Sequence, residues 1–183
     1  MMDTTVLKKA FSTEISAAAH HDAHTKLASV LVIIYGHVPK VIMTEKPKHL
    51  NIHAGEIAFP GGKWNQNDHD LLDTALRETS EEIGLSLPRQ KVIGQLEDVK
   101  TLNSGFTITP FISVIEDIPQ LHANSEVENI LHIPLVPFLQ TLTDDTDPEH
   151  NSIQEMYTLT FQKKIIWGAS ARILKQIVNR LKL

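Results

Sequence analysis

Glu78, Glu81 and Glu82 stand at i, i+3 and i+4 within the stretch Leu71 to Ile83. On a helix that spacing puts three carboxylates one turn apart on a single face. Each like-charged pair at this spacing costs a few tenths of a kcal/mol, roughly, and a helix C-terminus is the wrong end for negative charge. A hard divalent cation such as Mg²⁺ or Mn²⁺ takes oxygen ligands and reverses the sign of that interaction. Bound cations would in turn draw an anionic diphosphate. The three acids alone fit a solvated acidic face better than a metal site, with Arg77 adding a surface ion pair. Their company separates the two readings: Pro60-Gly61-Gly62 precedes the helix, Arg77 directly precedes the first acid, and Gly84 follows the last.

The elements that position these residues follow from periodicity. Leu72, Ala75, Leu76, Thr79 and Ile83 recur with helical spacing and form a core-facing stripe, stopped by Gly84 as C-terminal cap. Ser29 to Ile34 reads as a buried strand that turns at Gly36-His37 and returns over Val38 to Thr44. Ile57 to Phe59 is a short strand ending in a Pro60-Gly61-Gly62 turn. Val92 to Val99, Thr107 to Ile115, Val127 to Ile133, Met156 to Phe161 and Ile165 to Trp167 supply further strands. Ala169 to Leu183 is an amphipathic helix with Ile173, Leu174, Ile177, Val178 and Leu181 on one face, able to cover the sheet or pair with a second subunit in a homodimer. The order does not alternate βαβα, so an α+β fold with a mixed sheet between helices is expected. Residues 1–26 form an N-terminal helix or arm, with Phe11, Ile15, Ala18 and Ala19 in weak helical spacing; residues 27–183 form one domain. Thr143 to Asn151 is a polar loop.

Composition narrows the function. A chain of 183 residues supports one compact domain. Its formal net charge of −5 disfavours nucleic acid as a partner. With no cysteine, disulfides, thiolate catalysis and Cys-ligated zinc are excluded. No signal-peptide pattern opens the chain, and the longest apolar run, Ala28 to Tyr35, is too short to span a membrane. A cytoplasmic protein without a membrane partner is expected. His20, His21 and His24 have no carboxylate-rich frame around them and read as a solvated polar stretch.

The stretch Arg77-Glu78-Thr79-Ser80-Glu81-Glu82-Ile83-Gly84-Leu85 resembles the second half of the Nudix box, R-E-U-x-E-E-x-G-U with U a bulky aliphatic; Thr79 alone departs. In the first half Gly62 lies one residue farther from Arg77 than the box requires, and Asp68 stands near the position of its first Glu. That extension, and the upstream Thr44, Leu50, His53, Gly55, Phe59, Pro60, Gly61 and Gly62, are similar to the Nudix subfamily that acts on coenzyme A. Lys46 and Pro47 stand where that subfamily has Arg and Ser.

The resemblance implies a Nudix α/β/α sandwich and metal-dependent hydrolysis of a diphosphate bond. It names Glu78 and Glu82 as principal Mg²⁺ or Mn²⁺ ligands, with Glu81 joining and the Gly62 carbonyl completing the site. Arg77 would orient a neighbouring carboxylate, and Glu78 and Glu81 would share in catalysis. Glu81, Glu97 and Glu126 remain open as general base. Lys46 and His53 are candidates for contact with a small nucleotide substrate, His53 fitting a packing role as well. Coenzyme A or acyl-CoA is the leading substrate, giving phosphopantetheine and adenosine 3′,5′-bisphosphate. The Lys46 and Pro47 departures motivate ADP-ribose or a dinucleotide as the alternative. A non-catalytic binding module of the same fold would be expected to lose the box acids, which are present here.

Overall fold

The computed structural model describes residues 2–19, 25–49, 54–101, 104–148 and 156–183. Its centre is β1 (Lys26–Tyr35), a run of Val, Ile and Leu buried on both faces. Such a strand must be covered on both sides. On one face Leu31 and Ile33 pack with Leu71, Leu72, Ala75 and Ile83 of α2 (Leu71–Ile83). On the other, Val32 and Ile34 pack with α1 (Thr4–Phe11), α3 (Leu135–Leu139) and α4 (Gly168–Leu181). The result is a mixed sheet between helices.

β1 pairs in parallel with β7 (Phe106–Ile115) along its whole length and antiparallel with β2 (Lys40–Glu45) at its end. The ladder runs β3 (Ile57–Ala58), β2, β1, β7, β5 (Val92–Gln95). Short β4 (Gly61–Lys63) joins β1, β6 (Val99–Lys100) joins β7, and β8 (Asn129–Pro134) joins β2. A smaller sheet holds β9 (Thr143–Asp144), β10 (Tyr157–Phe161) and β11 (Lys164–Ile166). The buried Glu45 of β2 accepts from Lys164 of β11 and Asn129 of β8, which ties the two sheets together.

Several expected elements differ. Gly61 and Gly62 do not form a turn: they lie in β4, opposite Val30 and Ser29. The expected single strand Val92 to Val99 is two, because the backbone of Glu97 bonds the Gln176 side chain of α4 and leaves the ladder. Thr143 and Asp144 pair with β10 rather than belonging wholly to a loop. The N-terminal helix ends at Phe11, so Ile15 and Ala19 pack from a non-helical segment. Leu7 and Phe11 are fully buried, so α1 is part of the core and not a loose arm. The apolar face of α4 is spent inside the chain, with Ile173, Leu174, Ile177 and Val178 in the core.

Candidate functional site

Helix α2 is fixed at both ends by its own sequence. The Asp70 side chain accepts from the Asp73 N–H at 2.9 Å, satisfying a donor the helix leaves open. Gly84 closes the helix at φ 70°, a left-handed conformation that glycine adopts without penalty. Thr79, the departure from the aliphatic pattern, is fully buried, and its hydroxyl donates to the Ala75 carbonyl at 2.7 Å. The polar atom is thereby satisfied and the stripe stays intact.

With α2 docked on β1 and β4, each glycine of β4 meets one carboxylate. The Gly61 N–H donates to Glu82 Oε2 at 3.1 Å. A Cβ on Gly62 would lie 2.4 Å from the Glu78 carboxyl carbon, so only glycine leaves room for that side chain. Gly61 is constrained more tightly, by backbone: a Cβ there would lie 2.3 Å from the Ser29 carbonyl oxygen, at φ 155°.

Glu82 is only 5% exposed. Burial pushes its carboxyl up to about 7; the Gly61 N–H and the charge of Lys46 oppose that rise, while Glu78 and Glu126 add to it. The fold thus brings Lys46, Glu78, Glu82 and Glu126 together from three separate segments, the two middle acids both lying on α2.

Arg77 is the organiser of the remaining acids. Its Nε and Nη2 donate to the two oxygens of Asp68 at 2.7 and 2.9 Å, and its Nη1 donates to Glu78 at 2.9 Å and Glu81 at 3.2 Å. Asp68 is nearly inaccessible and also accepts from the Thr74 hydroxyl at 2.8 Å. These donors hold the Asp68 carboxyl below the usual carboxylate range. Asp68, Glu78 and Glu81 share the Arg77 guanidinium, while Glu82 feels the opposing charges of Lys46 on one side and Glu78 and Glu126 on the other.

Not every expected residue joins this centre. Glu81 is turned toward Arg77 with its side chain 56% exposed. Among the described residues, no group of three or more His, Asp or Glu side chains converges in metal-ligand geometry. Glu78 and Glu81 both accept from the Arg77 guanidinium, which draws their carboxylates to its side. Glu97 is tied through its backbone to α4. His53, His20, His21 and His24 lie outside the described residues. Asp68 is the site residue whose role the sequence pattern understated; its signal was its place near the first acid of the box.

The described residues contain no helix long and apolar enough to cross a membrane. Residues 25–159 match the NUDIX domain. A protein from Yersinia enterocolitica named Uncharacterized Nudix hydrolase NudL is 32% identical over 92% of this chain and 85% of its own length. Its namesake from Yersinia pestis is 30% identical over 90% and 84%. Among solved structures, the NUDIX domain of Shewanella oneidensis NrtR complexed with ADP ribose has a TM-score of 0.61 at 17% identity, covering 89% of this chain and 95% of that one. A MutT/nudix family protein from Enterococcus faecalis has a TM-score of 0.61 at 16% identity, with 93% of this chain covering 65% of that one. Helix α2 with its buried acid, the glycine strand β4 laid against it, the domain match and the similar proteins lead to one conclusion: the chain belongs to the Nudix family and is a Nudix diphosphohydrolase.

Proposed function

We propose that the enzyme hydrolyses the diphosphate bond of coenzyme A or an acyl-CoA with Mg²⁺ or Mn²⁺, releasing phosphopantetheine, or its acyl form, and adenosine 3′,5′-bisphosphate. The observation that carries the metal-dependent reading is Glu82. A buried carboxylate bonded to one backbone N–H, with two further acids close enough to raise its pKa, has too little positive charge around it. An all-oxygen set of Glu78, Glu82 and the Gly62 carbonyl suits a hard divalent cation, and the space Gly62 leaves for Glu78 fits that role. Glu78, Glu82 and the Gly62 carbonyl would hold such a cation, which would supply charge neutralisation at the diphosphate oxygens and a more acidic water.

The chain's own residues do the rest. Arg77 fixes the Glu78 carboxylate from one side, so its other oxygen is left for the substrate side. Lys46, whose charge reaches Glu82, offers an ammonium to a substrate phosphate. Glu126 reaches the same carboxylate electrostatically, comes from a different segment and has no cationic partner among the described residues. We assign it the proton-accepting role in preference to Glu81, which faces Arg77.

The coenzyme A assignment is supported by the upstream Thr44, Gly55, Phe59, Pro60, Gly61 and Gly62 and by the lengthened loop before α2. Lys46 favours a second substrate, ADP-ribose or a dinucleotide, since one ammonium grips a phosphate without the fork of an arginine. Incubation with CoA, acyl-CoA, ADP-ribose and dinucleotides plus Mg²⁺ or Mn²⁺, with products identified by mass spectrometry, decides between them. Release of adenosine 3′,5′-bisphosphate from CoA is expected. Turnover of ADP-ribose far above that of CoA would replace the first substrate by the second.

A further inference from the structure

We propose that Lys26, Lys63 and Phe106 form a second anion site, which takes a phosphate the nucleotide substrate carries in addition to its scissile diphosphate. The proposal rests on the hydrolase reading above and deepens it to a substrate class.

The three residues come from different strands but share one face of the sheet. Lys26 of β1 is the parallel neighbour of Phe106 of β7. Lys63 of β4 pairs with Ala28, two residues beyond Lys26, and so projects from the same side as Lys26. The Lys26 ammonium lies 5.6 Å and the Lys63 ammonium 5.4 Å from the centre of the Phe106 ring. Lys26 also donates to the Ser104 carbonyl at 3.2 Å. Among the described residues neither ammonium has a carboxylate within 4 Å.

One lysine laid over a ring is ordinary cover for an apolar surface. Two on the same ring bring like charges together, in a chain with an excess of five negative charges from which partners were available. The ring's negative face attracts each cation weakly at an exposed site and leaves the Lys63 donors, and those of Lys26 not spent on Ser104, for an incoming anion. Position adds to the case. Lys63 directly follows Gly62, one strand step from the glycine that receives Glu78, and its carbonyl oxygen lies 3.5 Å from the Arg77 guanidinium. Gly62 faces α2, so the Lys63 side chain leaves β4 on the opposite face of the sheet, and a phosphate bound between the lysines lies across that short strand from Glu78. Adenosine 3′,5′-bisphosphate derivatives carry such an additional phosphate, and ADP-ribose does not.

Coenzyme A and dephospho-CoA differ only in the 3′-phosphate, so kcat/KM for the pair isolates this contact. The wild-type enzyme is expected to favour coenzyme A by roughly tenfold or more, as suits a charge-assisted contact. In Lys26→Ala and Lys63→Ala the ratio should fall toward one, with KM rather than kcat carrying the change, and Lys63→Arg should restore most of it. A wild-type ratio near one, or a ratio unchanged in both alanine variants, overturns the proposal. If neither compound is hydrolysed, the substrate reading fails separately. Calorimetric titration in EDTA with adenosine 3′,5′-bisphosphate against AMP then decides the anion site. Tighter binding of the bisphosphate that is lost in the double alanine variant supports it, and equal binding of the two nucleotides overturns it.

Discussion

Replacing Asp68 by Asn keeps the shape of the side chain and removes its charge. In the wild-type protein that carboxylate is 4% exposed and takes two guanidinium bonds from Arg77, itself 30% exposed, besides one from Thr74. Losing one member of a fully buried pair costs about 3–5 kcal/mol. Arg77 is partly solvated and the Asn oxygen still accepts one of its bonds, so a destabilisation of about 2 kcal/mol is expected. Urea unfolding followed by circular dichroism measures it, with Asp73→Asn as control. Asp73 pairs with Arg89 at the surface, and its loss should cost under about 0.5 kcal/mol. The difference should also depend on pH. Folded Asp68 holds a proton less tightly than the unfolded carboxyl does. Its contribution is therefore complete above the unfolded value of about 3.9 and fades as pH falls through the lower folded value. Wild type and variant should converge in strong acid. A gap at neutral pH as small as that of the control would refute the view that Asp68 anchors the Arg77 cluster.

Gly62→Ala should lower kcat at least about a hundredfold while costing under about 1 kcal/mol in urea, because the added methyl meets the flexible end of Glu78; steady-state rates with a folded, melting protein check both halves. Gly61→Ala should cost several kcal/mol or prevent folding, since its methyl meets the Ser29 and Val30 backbone at positive φ, and thermal melts read this directly. Gly94→Ala should release the N-terminal segment, because the methyl would meet the Phe11 carbonyl and the Thr13 hydroxyl. Faster amide hydrogen exchange over residues 4–13, with α2 protection unchanged, is the expected signature.

Much of this was legible in the residues themselves. The stripe from Leu72 to Ile83 and the glycine at 84 defined α2 before its partners were known, because a helix's period and caps are local properties. The hairpin through Gly36 was readable for the same reason. What was missed is long-range. The glycines of β4 read as a turn, and only the neighbouring β1 makes them a strand. Nothing near Glu97 in sequence announces the Gln176 side chain that breaks its ladder. The three acids of α2 have one helical spacing, yet Arg77 draws Glu81 outward while the Gly61 N–H holds Glu82 inward. The pairing of Lys26 with Lys63 across a shared ring depends on strand register that no local pattern encodes.

Calorimetric titration of the wild-type protein and Glu82→Gln with Mn²⁺ near pH 8 bears most directly on the role given to Glu78, Glu82 and Gly62. Saturable uptake by the wild-type protein, weakened at least tenfold in the variant, is the expected result. Absence of uptake, or identical uptake by both proteins, would contradict it.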